Sequence, residues 1–111
     1  MSQKIGIEIL NKGTGTEKCP KGAKAFVHYT GQLEDGTVFD SSRDRGVPLD
    51  FKVGMGMVIP CWDIGIQQLV KGQQANLTCP SHTAYGSQGI RGVIPPNATL
   101  KFNVELVDFK K

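Results

Sequence analysis

Apolar and polar residues alternate with a period of two along most of this chain. Ile5, Ile7 and Ile9 alternate with Gly6 and Glu8 and predict a first strand. Ala23, Ala25, Val27, Tyr29 and Leu33 share one face of a long second strand, with Lys24, His28, Thr30 and Gln32 on the other. Leu49, Phe51 and Val53 alternate with Asp50 and Lys52; Ala75, Leu77 and Cys79 alternate with Gln74, Asn76 and Thr78. Leu100, Phe102, Val104 and Leu106 form a last half-buried strand whose phase slips at Val107, predicting a bulge or a frayed end.

One stretch breaks this rhythm. In Val58 to Gly72, the positions Trp62, Ile66, Leu69 and Val70 fall on one helical face. Pro60 suits a first turn, Asp63 and Lys71 suit the two ends of the helix dipole, and Gly72 suits a left-handed stop. The predicted helix is about ten residues long, too short to stand alone. Gly65 in its middle suggests a second backbone passing close by. The helix must therefore be held by packing. Trp62, the only tryptophan, is either an ordinary core residue or the flat floor of a pocket with Val58 and Ile59 at its rim.

The connections are also legible. Asn11 to Lys21 reads as a loop, Glu34-Asp35-Gly36-Thr37 as a hairpin turn, and Ser41 to Pro48 as a polar loop after the extended Val38-Phe39-Asp40. Pro80 to Ala98 is long and rich in Gly and Pro, and loops of that length are usually functional. About five antiparallel strands and one short helix give an α+β fold, one sheet face solvated and the other covered by the helix. A pocket is expected at one end of that helix, under the long loop.

The 111 residues suit a single domain spanning 1–111, and no run is apolar enough for a membrane span. The first residues, Met1-Ser2-Gln3-Lys4, lack a signal-peptide pattern, so a cytoplasmic protein is expected. The net charge of +3 is scattered, which argues against a nucleic-acid surface. Cys19, Cys61 and Cys79, odd in number and widely spaced, match neither a disulfide framework nor a zinc site. Cys61 reads as a buried or bystander thiol. Asn76-Leu77-Thr78 and Asn97-Ala98-Thr99 match the glycosylation sequon and are read as chance matches. Gly13-Thr14-Gly15 lacks the spacing of a phosphate loop. His28 and His82 have no partner at a telling spacing, and no metal or cofactor site is expected.

What remains is specific in combination. Val27-His28-Tyr29-Thr30-Gly31, Leu33-Glu34-Asp35-Gly36 and Phe39-Asp40-Ser41-Ser42-Arg43-Asp44-Arg45 resemble the FKBP family of peptidyl-prolyl isomerases. So do Val58-Ile59 with Trp62, Ala84-Tyr85-Gly86, Ile94-Pro95-Pro96-Asn97-Ala98-Thr99-Leu100 and Phe102-Asn103-Val104-Glu105-Leu106. The likeness runs from about Ile5 to Lys110. It implies a half-barrel of five to six antiparallel strands wrapped on one short helix, with an apolar pocket for a proline ring. By position it implies a pocket built from Tyr29, Phe39, Asp40, Arg45, Phe51, Met57, Val58, Ile59, Trp62, Ala84, Tyr85, Ile90, Ile94 and Phe102.

Of these, the resemblance implies that Asp40, Tyr85, Phe102, Ile59 and Trp62 carry the catalysis. The Ile59 N–H and the Tyr85 hydroxyl would bind carbonyls of a substrate or of a macrolide such as tacrolimus or rapamycin. Asp40 would be held by Arg45 and Tyr29, either to brace the loop or to polarise the substrate carbonyl. Phe39 and Asp40 are neighbours, so the chain must bend or bulge for both to reach one pocket. Leu49, Met57, Ile90 and Pro60-Cys61 depart from the family's commoner pattern, which bears on substrate preference, inhibitor affinity and partner binding.

The expected protein is a cytoplasmic monomer that isomerises Xaa-Pro bonds in proline-containing peptides and proteins, without nucleic acid or membrane. The reading from another class is a non-catalytic module whose drug complex docks on a protein partner.

Overall fold

The computed structural model describes residues 4–111. Strands β1 (Gly6–Ile9), β2 (Lys24–Leu33), β3 (Val38–Ser41), β4 (Leu49–Lys52), β5 (Gln74–Cys79) and β6 (Leu100–Lys110) form one antiparallel sheet, with short helices α1 (Ser42–Arg45) and α2 (Pro60–Gly65). The spatial order is β1-β5-β6-β2-β3, and β4 also pairs with β2. This is the α+β half-barrel expected, with six strands.

The alternation in sequence becomes the inside and outside of the sheet. Ala25, Val27 and Tyr29 of β2, Ala75, Leu77 and Cys79 of β5, and Leu100, Phe102, Val104 and Leu106 of β6 are all buried. Trp62, Ile66 and Leu69 meet them from the helical side of the core. The Asp-Gly turn closes the β2–β3 hairpin, with Leu33 N–H donating to Thr37 C=O at 2.9 Å and Thr37 N–H to the Asp35 carboxylate at 2.9 Å.

Two register shifts matter. Phe26 faces Asp108 but Val27 faces Leu106, so Val107 is the extra residue of a bulge, where the sequence phase slips. Gly31 faces Asp40 but Gln32 faces Val38, so Phe39 is bulged as well. That second bulge is the bend that lets Phe39 and Asp40 serve one cavity.

Four expectations are corrected. The helix is shorter than the pattern suggests: α2 ends at Gly65 and continues as one turn of 3₁₀ helix, Ile66–Gln68. Leu69 is extended and its carbonyl accepts from Cys19 N–H at 2.9 Å, so a tertiary partner ends the helix early. Lys71 and Gly72 therefore belong to the turn before β5, not to a helix terminus. Second, the loop after Ser41 holds α1, closed by Gly46 in the left-handed region. Third, Gly65 makes room for a side chain, not a backbone: a Cβ there would lie 3.0 Å from Leu77 Cδ1.

Fourth, Cys61 and Cys79 form a disulfide, 18 residues apart in sequence. The bystander-thiol reading fails because the helix brings Cys61 over the end of β5, a proximity that sequence spacing does not encode. Cys19 is the free, buried cysteine. Burial, with the Glu17 carboxylate nearby, pushes its thiol up to about 11.

Candidate active site

The cavity of interest, about 200 Å³, lies between α2 and the inner face of the sheet. Tyr29, Phe39, Asp40, Leu49, Met57, Val58, Ile59, Trp62, Tyr85 and Phe102 line it. Each element delivers a few of these by a local rule. Tyr29 and Phe102 sit at inward positions of β2 and β6. Phe39 and Asp40 both arrive through the β3 bulge. Trp62 is placed by the first turn of α2, which Pro60 opens and Ile59 caps. The turn before the helix is pinned by Asp63, whose carboxylate accepts from Gly54 N–H at 2.9 Å and Gly56 N–H at 3.0 Å. This sets where Met57 and Val58 stand.

The floor is aromatic. Trp62 meets Tyr29 at 4.7 Å and Phe102 at 5.2 Å between ring centres, both edge-on, and Phe39 meets Phe102 at 5.6 Å. Trp62 is only 4% exposed, and its indole N–H has no hydrogen-bond partner among the described residues. The floor is thus built of apolar ring faces, with the Trp62 N–H, the Asp40 carboxylate and the Tyr29 and Tyr85 hydroxyls as the polar points of the cavity.

One charged group stands at this apolar surface. Asp40 Oδ2 accepts from the Tyr29 hydroxyl at 2.5 Å, and Oδ1 accepts from Arg45 at 2.6 Å and from Ser41 N–H at 2.9 Å. Arg45 also donates to the Tyr29 hydroxyl, at 2.9 Å. Burial alone would raise the Asp40 carboxyl. The hydrogen bonds from Tyr29 and Arg45, the Arg45 charge and the Ser41 N–H outweigh burial and hold it below the usual carboxylate range. Asp40 is therefore ionised at neutral pH. Burial, and next the hydrogen bond to Asp40, push the Tyr29 phenol up; burial and the Asp40 charge push the Tyr85 phenol up. Both phenols stay protonated and able to donate.

Not every candidate reaches the cavity. Phe51 is buried against Trp62, with ring centres 6.1 Å apart, outside the wall. Ile94 is buried in a tight turn with Ile90, where each N–H donates to the other's carbonyl at 2.8 Å. Ala84 is half-buried against the core, and Arg45 acts from behind Asp40 and Tyr29. Leu49, read in the sequence as a departure at the rim, lines the cavity itself. Among the described residues, no group of His, Cys, Asp and Glu is placed to hold a metal ion, and no helix is long and apolar enough to cross a membrane.

A family model described as FKBP-type peptidyl-prolyl cis-trans isomerase matches residues 15–107. The chain is 51% identical to FK506-binding protein 1 of Debaryomyces hansenii, over 92% of this chain and 91% of that one. It is 51% identical to the peptidyl-prolyl cis-trans isomerase Fkbp12 of Drosophila melanogaster, over 93% and 97% respectively. It is 53% identical to FK506-binding protein 2 of Yarrowia lipolytica, covering 94% of this chain and 74% of that one. The chain belongs to the FKBP-type peptidyl-prolyl cis-trans isomerases. Its activity is cis-trans isomerisation of Xaa-Pro bonds.

Proposed function

We propose that isomerisation takes place in the cavity floored by Trp62, with Asp40, Tyr85, Phe102, Ile59 and Trp62 carrying the catalysis. The observation behind this reading is the coincidence of an aromatic floor and one tethered carboxylate around the same space. The domain that does this spans residues 1–111 and works as a monomer without cofactor.

The barrier to be lowered is electronic. An Xaa-Pro bond turns over tens to hundreds of seconds because amide resonance enforces planarity. Resonance charges the carbonyl oxygen negatively and the nitrogen positively. A dry, apolar cavity withdraws the water that stabilises this charge-separated form, and the twisted amide loses less. Raising a rate from ~0.01 to ~100 per second takes about 5–6 kcal/mol.

The chain's own groups then divide the work. Trp62, Phe102 and Phe39 enclose the proline ring. Ile59 is the N-cap of α2, so its N–H lies outside the helix ladder and is free to hold a substrate carbonyl. Tyr85, an exposed residue at the mouth, takes a second carbonyl through its hydroxyl. Asp40 is an acceptor only. It holds the Tyr29 ring in place, and its fixed negative charge opposes the negative carbonyl oxygen of the planar amide. No proton moves.

The same cavity accommodates macrolides such as tacrolimus and rapamycin, and a drug complex would offer Tyr85, Met57 and Ile90 to a protein partner. A cytoplasmic location is the reading from the sequence. Paired Cys61 and Cys79 are commoner in oxidising compartments, so their thiol state in cells tests that location directly. The deciding experiment follows isomerisation of an Xaa-Pro peptide with and without the protein, then with rapamycin. Acceleration abolished by stoichiometric rapamycin is expected. Acceleration that survives saturation with the drug would put the chemistry elsewhere.

A further inference from the structure

Strand β2 has two edges, and one is fully occupied by β6 from Lys24 to Leu33. The other edge is shared. β4 pairs with Lys24 to Val27 and β3 with Thr30 to Gln32, which leaves His28 and Tyr29 between two partners. The chain that should continue the ladder turns away into α1. Tyr29 therefore presents a backbone N–H and C=O to a gap in the sheet, deep in the protein.

Ser42 fills that gap. Its side chain is fully buried at the start of α1. Its Oγ accepts from Tyr29 N–H at 2.8 Å and lies 3.4 Å from Tyr29 C=O, the geometry of a strand neighbour. His28 Nδ1 lies 2.9 Å from the same Oγ and completes its partners. A buried amide left unpaired is costly, so the backbone at Tyr29 depends on this one hydroxyl. The Tyr29 ring is also the donor to Asp40, and α1, which Ser42 anchors, carries Arg45 to the same carboxylate.

We propose that Ser42 is a positioning residue for the isomerase: its hydroxyl replaces the missing strand partner of Tyr29 and thereby holds the Tyr29 phenol against Asp40. This rests on the reading of Tyr29 and Asp40 as part of the working site. His28 has a supporting part, as the second partner that fixes the Ser42 hydroxyl.

A double-mutant cycle tests it. Ser42→Ala, Tyr29→Phe and the pair are compared for kcat/KM on an Xaa-Pro peptide, at a temperature where each is folded by tryptophan fluorescence. Ser42→Ala should lower kcat/KM by roughly five- to tenfold, the rate equivalent of one hydrogen bond. In the Tyr29→Phe background the same change should cost less than about twofold, because the phenol it positions is gone. Equal losses in both backgrounds would make Ser42 a structural residue only and overturn the proposal. No loss from Tyr29→Phe itself would overturn the site reading and this inference together.

A second readout is spectroscopic. The chain has two tyrosines, so in a Tyr85→Phe background the ultraviolet titration reports Tyr29 alone. Ser42→Ala should return that titration toward an ordinary phenol; an unmoved titration contradicts the proposal. If Ser42→Ala does not fold, native-state hydrogen exchange of the unmodified protein decides. The Tyr29 amide should be as protected as those of Val27 and Gly31, although no strand pairs it on that edge. Exchange at the rate of an open amide would sink the idea.

Discussion

The ring of Phe39 occupies the place of the side chain that Gly31 lacks. A Cβ on Gly31 would stand 2.7 Å from Phe39 Cζ and 2.8 Å from Phe102 Cε1. Gly31 faces Asp40 across the ladder at the β3 bulge, so the bulge, the two rings and the carboxylate are one arrangement that a single methyl group would disturb. Gly31→Ala should destabilise the fold by about 1–3 kcal/mol, the usual range for overpacking. It should also weaken isomerisation and macrolide binding together. Urea denaturation and a peptide assay on the same sample check this; unchanged stability would mean that the rings can retreat.

The carboxylate of Asp40 is held below its usual range. Because the folded pKa is depressed, its contribution is present above the unfolded value and lost as pH falls through the folded one. The melting temperatures of wild type and Asp40→Asn should differ near pH 6–7 and begin to converge only once pH falls below about 4, the unfolded value. The side chains of Arg45 and Asp40 are 54% and 40% exposed, so the gap should also shrink in salt. A difference that persists at low pH would mean that the asparagine acts through packing.

Asp40→Val and Phe102→Tyr address the chemistry directly. Asp40→Val should reduce kcat/KM by about tenfold or more, since it removes a fixed charge from an apolar site. Phe102 touches Trp62, Tyr29 and Phe39, and a hydroxyl on its ring would enter that packing. A several-fold loss is expected, with the fold intact by circular dichroism. If both variants turn over like wild type, the cavity has been assigned the wrong residues.

The Cys61–Cys79 bond ties the first turn of α2 to the end of β5, which leads through Pro80 into the segment bearing Tyr85. A cross-link over 18 residues contributes about 3 kcal/mol by restricting the unfolded chain. Cys61→Ala/Cys79→Ala should show that loss in denaturant midpoint, with the wild type falling to match it in excess dithiothreitol. Thiol titration of the oxidised protein in guanidinium should find Cys19 alone. In the native state Cys19 should be inert at pH 7, since its buried thiol titrates only at about 11. Three reactive thiols in the oxidised, unfolded protein would refute the pairing.

The period of two, the Asp-Gly hairpin and the phase slip at Val107 are local features, written in neighbouring residues, and the sequence by itself determined them. It also determined which side chains of β2, β5 and β6 face inward, though Ile9 and Leu49 of the same alternation stay exposed, and the order of motifs that carries the family likeness. Tertiary structure decided everything that needs a distant partner. Leu69 leaves the helix because Cys19 competes for its carbonyl. Cys61 meets Cys79 because α2 crosses β5. Phe51 lies off the cavity because its ring packs against Trp62, and Ile94 because its backbone is held in a tight turn with Ile90. Ser42 carries no periodic signal at all: it lies in a short polar run, and its role appears only where two strands stop short of Tyr29 and a buried amide must be satisfied.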